Sequence, residues 1–487
     1  MQNLIFLGIA FAGLFGIRYA FKIFIARRAY VQAMHRNGCK PVRKWLRTDL
    51  LFGLDRIRRT KKAMKDGNLL EVTRQDFEAC GKTFETCVMG VRTIYTMEWA
   101  NIHTVQSVEF ESWGVRPLRA SIAAMMGNGI TVSDGPTWSH ARKTLRPIFQ
   151  KSQFKDLEKM AFEKHLSRML KRMPNNGSAV DLQKLFQRMF INVSLEYIFG
   201  ETRFSELDDS SPDADQFVAD YNNAVKTIAK MRGFGMNMPY DLSANKRALK
   251  KAVEKLQPYV DQQIAAALKK KKERMIDQQS QPNESYVFVE QLVYETEDQG
   301  FVRDQLLNIF FPARDASSAG ASFIFFILTR HPDVWEKLRT EVLGHEKPMT
   351  SRYLSHVINE CLRLLAPASR AIRTCIKDCV LPYGGGIDGL SPIYVSAGTN
   401  IDLHFGQLHK DKDIWGPDAL EFRPERWENL DPKQMLITQY GYLLVRMAKL
   451  FQRIENRDEV LEFVEEHSMT ITSRNGVKVA LIPDSNS

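Results

Sequence analysis

Two short segments constrain this chain more than any other feature: Asn359-Glu360-Cys361-Leu362-Arg363 and, further along, Phe422-Arg423-Pro424-Glu425-Arg426-Trp427. The first lies in Tyr353 to Leu365, whose spacing predicts a helix. Glu360 and Arg363 are three apart and share one helical face. The second is bounded by proline and cannot continue a helix. Arg426 suits a carboxylate already paired with another arginine, because a guanidinium fork binds carboxylate oxygens in pairs. The two segments therefore predict one ion-paired network, Glu360–Arg363–Arg426, tying a helix to a loop. Glu-x-x-Arg alone is most often a solvated surface pair of small energetic weight, so the reading rests on the rest of the chain.

The 487 residues, 44% of them hydrophobic, are enough for a large buried core. No Pro/Gly/Ser linker and no internal repeat divides them. The formal charge of +11 fits an anionic membrane surface or an acidic protein partner. No nucleic-acid motif accompanies it, so nucleic acid is not expected as a partner. Six cysteines show no Cys-x-x-Cys pair and no finger-like Cys/His spacing. They read as reduced thiols in a cytosol-facing domain, and no metal site is expected.

Met1 to Ile17 is almost wholly apolar and is followed by Arg18, Lys22, Arg27 and Arg28. As a helix it would span roughly 25 Å at about 1.5 Å per residue. Basic residues after the run place that flank in the cytosol. A cleaved leader would carry its charge first and small residues at a cleavage site. Residues 1–25 are therefore expected to form a single uncleaved anchor, with 26–487 as one domain.

Asp134-Gly135-Pro136 is a turn and helix-start signal. Trp138 and Arg142 follow four apart on one face. Such a pair can hold an anion through indole and guanidinium donors, or can belong to an ordinary amphipathic helix. Val180 to Gly200 predicts a scaffold helix ending at Gly200. Ala214 to Met238 predicts a helix passing into Met- and Gly-rich chain. Lys269 to Lys272 reads as a solvated face, and Asp277 to Ser285 as a polar loop. Val302 to Leu328 predicts a long apolar helix with Arg314-Asp315 in its middle. A carboxylate there needs either a cation partner or a role in proton delivery. Leu381 to Thr399 is a Gly-rich hairpin zone without the ending of a phosphate loop. From Gly441, GYLLVRMAKLFQRIE has a helical period, and the tail alternates around Asn475-Gly476 as a hairpin.

Glu-x-x-Arg followed by Pro-Glu-Arg-Trp resembles the haem-thiolate monooxygenases, the cytochrome P450 family, and the resemblance runs through almost the whole chain. It implies a mainly helical fold with a small β-rich region, behind an N-terminal anchor in the endoplasmic reticulum membrane. Trp138 and Arg142 lie in a segment similar to the family helix that binds one haem propionate, and Arg373 matches the strand arginine that pairs with the other. Pro312-Ala313-Arg314-Asp315-Ala316-Ser317 resembles the oxygen-binding helix. The family acid is present as Asp315, whereas Ala313 stands for the usual Gly and Ala316 for the usual Thr. Ser317 is about 100° further around and need not substitute. His331-Pro332-Asp333-Val334-Trp335 and His409 match further family segments, and the Gly-rich hairpin resembles that of fungal alkane and fatty-acid hydroxylases. The resemblance implies haem as cofactor, an NADPH-dependent reductase as partner and a small lipophilic substrate.

The family's loop bearing the iron-ligating cysteine is missing. After Trp427 the chain reads ENLDPKQMLITQYGYLLVRMAKLF, passing from the family's meander, the stretch around Pro424–Trp427 that leads into that loop, straight to the following helix, with the loop absent between about 432 and 435. A second gap stands at HEKPMTSR, where relatives carry a further helical stretch. Thiolate ligation favours O–O cleavage and other ligands give other chemistry, so the chain as written is expected to be inactive. It is either an incomplete version of a functional monooxygenase or a membrane-anchored pseudoenzyme acting as a binding or partner protein.

Overall fold

Leu182–Phe199 shows how local chemistry sets the helices. The Asp181 carboxylate accepts the Gln183 N–H at 3.1 Å and caps the start. Gly200, at φ 72°, returns its N–H to the Glu196 carbonyl at 2.8 Å and ends the helix where the sequence expects. Ser351 caps Arg352–Leu364 in the same way, its hydroxyl accepting from the Leu354 N–H at 3.3 Å.

The computed structural model describes residues 18, 21, 24–45, 49, 52–115, 118–150, 152–174, 176–200, 212–232, 245–276, 287–430, 438–467 and 470–484. Residues 24–36 are helical. The expected anchor over residues 1–25 and the junction expected between about 432 and 435 fall almost wholly outside the described residues, as does the Asp277–Ser285 loop. Among the described residues no helix is long and apolar enough to cross a membrane.

The chain forms two compact units: Met1–Asp55 with Thr73–Gly114 and Ile372–His404, and Arg56–Val72 with Val115–Ala371 and Phe405–Ser487. The first is β-rich. Strands β1 (Thr83–Val88) and β2 (Val91–Thr96) form a hairpin whose two-residue turn, Met89-Gly90, has φ of 48° and 80°. That left-handed pair matches the natural twist of the strands. β2 pairs in parallel with Asn400–Leu403, and the sheet continues to Ala371–Cys375 and Trp113–Gly114. The predicted Gly-rich hairpin forms as Cys379–Gly385 paired with Ser391–Val395.

The second unit is mainly helical. Gln299–Leu328 runs unbroken through Pro312 and reaches two apolar cores. The Val302, Leu306 and Phe310 end sits in one apolar core, and the Ile324, Phe325 and Leu328 end in another. Phe325 packs on Phe186 of Leu182–Phe199 with ring centroids 5.3 Å apart. Pro212–Arg232 packs on Lys246–Ile276, Phe217 stacking on Tyr259 at 4.5 Å. Leu364 closes Arg352–Leu364, within one residue of the expected span. In the second sequence gap the chain makes only a 3-10 turn, Pro348–Thr350.

Two expectations need correction. The helix after the meander, Thr438–Leu450, stops before FQRIE, and Phe451–Asn456 is a strand. Phe451 and Ile454 point inward, and an available partner edge overrides helical period. That partner is Lys478–Pro483, which also pairs with Ala179–Asp181. The two strands flanking Asn475-Gly476 are therefore not a hairpin with each other. Ile471–Ser473 pairs with Glu465–His467 instead. Val479, Ala480 and Leu481 are fully buried, which a central strand allows and a terminal hairpin does not. The Lys269–Lys272 run is largely solvated, as expected, with Lys269, Lys270 and Lys272 exposed. Lys270 reaches Glu290 of Phe288–Glu295 at 2.8 Å, and Lys271 reaches Glu297 in the connection that follows at 2.9 Å.

Candidate functional site

Glu360 stands fully buried on the inner face of its helix. Arg363 meets it with two bonds, Nε to Oε2 at 2.8 Å and Nη2 to Oε1 at 2.9 Å. Arg426 adds Nε to Oε1 at 2.9 Å. The predicted three-residue network is present, and it is larger than predicted. The Arg423 N–H donates to Oε1 at 3.0 Å and the Trp427 indole to Oε2 at 2.9 Å. Burial pushes the Glu360 carboxyl up, but donors from Arg363, Arg423 and Arg426 outweigh it and hold the group below its ordinary value. The spare donors tie down the loop. Arg363 Nη1 reaches the carbonyls of His409 and Ala419 at 2.8 and 2.6 Å, and Arg426 Nη2 reaches that of Asp418 at 2.9 Å. His409 enters through its backbone, consistent with a structural part.

Asp315 lies on the middle turns of the long helix, largely shielded, and has the cation partner that its setting calls for. Arg314 Nε donates to its Oδ1 at 2.7 Å. One turn on, Gly320 leaves room for Tyr440. A β-carbon at Gly320 would lie 2.7 Å from the Tyr440 Cζ and would run into the hydroxyl. The Tyr440 hydroxyl lies 3.4 Å from the Ala316 carbonyl oxygen. The helix that follows the meander thus places an aromatic side chain directly on the Ala316–Gly320 turn.

Trp138 and Arg142 share a face of Gly135–Gln150, the guanidinium 5.4 Å from the indole centroid. Arg142 is exposed and Trp138 half-buried. Asp134, expected to start this helix, also spends its carboxylate on the Val115 N–H at 2.9 and 3.0 Å. Arg373 lies on Ala371–Cys375, half-buried, with Nη1 donating to the Ile372 carbonyl at 3.0 Å. It belongs to the β-rich unit, whereas Trp138, Arg142, Asp315 and the Glu360 network belong to the helical one.

Sequence reasoning missed a latch between the segment before Trp138 and the Asp315 helix. Asp304, Gln305 and Asn308 side chains accept the N–H groups of Asn128, Ile130 and Thr131 at 2.7, 3.0 and 3.0 Å. Asn308 also donates to the Met126 carbonyl at 2.7 Å. Gly127, at φ 63°, and Gly129 admit these side chains, since a β-carbon at either would collide with Asp304 or Asn308. Three polar residues on one face of an apolar helix were the available signal.

A haem-thiolate group requires a thiolate below the iron and donors at its propionates. Arg142 and Arg373 each carry, within their own units, a side chain of a type that donates to carboxylates. The thiolate is missing, for no cysteine follows Cys379 in the chain. Cys361 is fully buried in the core, and burial with the adjoining Glu360 charge pushes its thiol well up. Cys375 and Cys379 face each other at 4.0 Å. Among the described residues no group of three or more His, Cys, Asp or Glu side chains is placed to hold a metal ion. The residues present do not fit thiolate-ligated haem.

Comparison with known proteins places this geometry. The chain is 33% identical over 476 residues to cytochrome P450 monooxygenase himC of Aspergillus japonicus, covering 91% of this chain and 84% of that protein. It is 31% identical to monooxygenase iccC of Talaromyces variabilis, covering 91% and 92%. It is 28% identical to cytochrome P450 52A12 of Debaryomyces hansenii, covering 92% and 93%. The family model for cytochrome P450 matches residues 59–445, a span that takes in the Asp315 helix, the Glu360 network and the start of the Tyr440 helix. Helical architecture with small sheets, the Glu360–Arg363–Arg426 network and these matches agree, and the chain belongs to the cytochrome P450 monooxygenase family.

Proposed function

We propose that the chemistry from which this chain derives is insertion of one oxygen atom into a C–H bond of a lipophilic substrate such as an n-alkane or a fatty acid, and that the chain as written does not carry it out. Two electrons would come from an NADPH-dependent reductase docked on the basic surface. Trp138, Arg142 and Arg373 are the proposed propionate donors and Asp315 the proposed proton-handling acid. The location is the endoplasmic reticulum membrane, through a single-pass anchor within residues 1–25 with the domain in the cytosol. The Gly-rich hairpin Cys379–Gly385 with Ser391–Val395, whose sequence resembles that of fungal alkane and fatty-acid hydroxylases, supports the substrate class.

The observation that carries the inactivity is the run from Trp427 to Leu450, which contains no cysteine. Tyr440 against Ala316 supports it, since the turn proposed to face bound oxygen is covered by a side chain. Reconstitution with haem and a reductase tests this. The expected result is no thiolate-type carbon monoxide band and no reductase-dependent product. Carbon-monoxide-sensitive hydroxylation by this chain would overturn it.

A second reading, a membrane-anchored binding or partner protein, is favoured by Ala313 and Ala316. A splicing error deletes blocks and does not exchange single residues in another helix. Sequencing transcripts across the codons for Trp427 to Gly441 separates the two. An in-frame loop with its cysteine makes this chain a truncated form of an ordinary monooxygenase, and reads joined as written leave the pseudoenzyme.

A further inference from the structure

Arg314 has donor capacity that nothing in the helical unit uses. It is 6% exposed, in the middle of the long helix. Its guanidinium lies over the Tyr221 ring, 4.9 Å from the centroid, and 5.8 Å from that of Phe310. Nε is spent on Asp315. Among the described residues, buried Nη1 has no hydrogen-bond partner. The ring it covers carries a second such group, for the buried Tyr221 hydroxyl has no partner among the described residues either. Burial pushes that phenol well above its ordinary range, so it stays protonated. The surroundings are apolar: Phe310 sits 5.0 Å and Phe217 6.1 Å from the Tyr221 ring, centroid to centroid.

An arginine nitrogen can only donate, and a protonated phenol donates readily. Leaving both unpaired in an apolar site is costly, so the arrangement is complementary to an acceptor oxygen. Charge decides which kind. Asp315 already balances Arg314, so a carboxylate would bring an uncompensated negative charge into a low-dielectric site. A neutral carbonyl brings two lone pairs and no charge. We propose that Arg314 Nη1 and the Tyr221 hydroxyl form a binding site for the neutral carbonyl oxygen of a lipophilic ligand, a ketone, ester or amide, whose hydrocarbon lies against Phe217 and Phe310. This rests on the reading that the chain takes a lipophilic ligand. It does not depend on whether the chain hydroxylates.

The test is displacement of an apolar fluorescent probe from the purified full chain by three ligands of equal length: an n-alkane, its methyl ketone and its carboxylate. The ketone-to-alkane affinity ratio is measured in wild type, Tyr221→Phe and Arg314→Lys. Tyr221→Phe keeps the ring under the guanidinium, and Arg314→Lys keeps a positive charge for Asp315. The expected result is a ratio about tenfold lower in each variant, with alkane affinity unchanged. Tyr221→Phe should leave the melting temperature of the free chain unchanged or slightly higher, because it removes an unpaired hydroxyl. Equal ratios in all three proteins would overturn the inference, as would a carboxylate that binds tightest and depends on Arg314. A lower melting temperature for Tyr221→Phe, revealing a hydroxyl already bonded to buried water, would overturn it too. Failure of every ligand to displace the probe would instead overturn the lipophilic-ligand reading beneath it.

Discussion

Tyr440 rests its hydroxyl 3.4 Å from the carbonyl oxygen of Ala316, in a space that exists only because residue 320 is glycine. The two residues come from Gln299–Leu328 and Thr438–Leu450, elements that precede and follow Glu360 in the chain.

Gly320→Ala should therefore destabilise the chain by about 1–3 kcal/mol, the range for overpacking a filled interior. Tyr440→Phe removes only the atom nearest Ala316 and should cost about 1 kcal/mol or less. In the double variant Gly320→Ala with Tyr440→Ala, the collision is relieved, so the penalty of the alanine at 320 should fall. Urea unfolding of wild type, Gly320→Ala, Tyr440→Ala and the double variant measures the coupling, and additive penalties would show that the residues do not touch.

Glu360→Gln should cost about 3–5 kcal/mol at neutral pH, because it leaves Arg363 and Arg426 buried without their anion. Trp427→Phe, which removes a single donor, should cost about 1–2 kcal/mol. The pH dependence has a definite sign. The folded-state carboxyl lies below its ordinary value of 4.5, so its stabilisation is complete above that value and is lost as pH falls below it. The gap between wild type and Glu360→Gln should narrow as unfolding is measured at pH values below 4.5. A gap that stays constant would mean that ionisation of Glu360 does not support the network.

Asn308 serves the segment before Trp138 three times, accepting from the Thr131 N–H and hydroxyl and donating to the Met126 carbonyl. Asn308→Ala leaves both backbone groups unsatisfied and should cost about 2–4 kcal/mol. Asn308→Asp keeps the acceptor and loses the donor, so it should fall between. Protease cleavage within residues 127–133 of the native chain should rise in the same order, and unchanged cleavage would remove the latch role.

Cys361 should resist alkylation in the native chain, since burial and the Glu360 charge both disfavour its thiolate. Cys87, half-buried on β1, should be labelled first. Peptide mapping after a short pulse of iodoacetamide at mildly alkaline pH reads this directly. Native labelling of Cys361 ahead of Cys87 would contradict the burial described.

Much of this protein is local and was legible early. Glu360 and Arg363 share a face because helical geometry puts residues three apart together, and Arg426 follows from the chemistry of a guanidinium fork. The Gly200 stop and the Gly-rich hairpin are equally local, because left-handed backbone and turn chemistry are properties of a few residues. Asp315 needs either a cation or a role in proton delivery, and its neighbour Arg314 supplies the cation.

The rest was decided by partners distant in sequence. Nothing in FQRIE says strand until Lys478–Pro483 offers an edge, and nothing in the tail says that its two strands join different sheets. Arg423 contributes a backbone N–H to Glu360, which carries no residue-type signal. Tyr440 finds Gly320, and the Tyr221 ring finds Arg314, only when helices pack. Residue type and spacing determined which elements form and which charges must meet. Packing determined which surfaces those elements cover, because burial energy depends on the shape of the partner face and not on the residue alone.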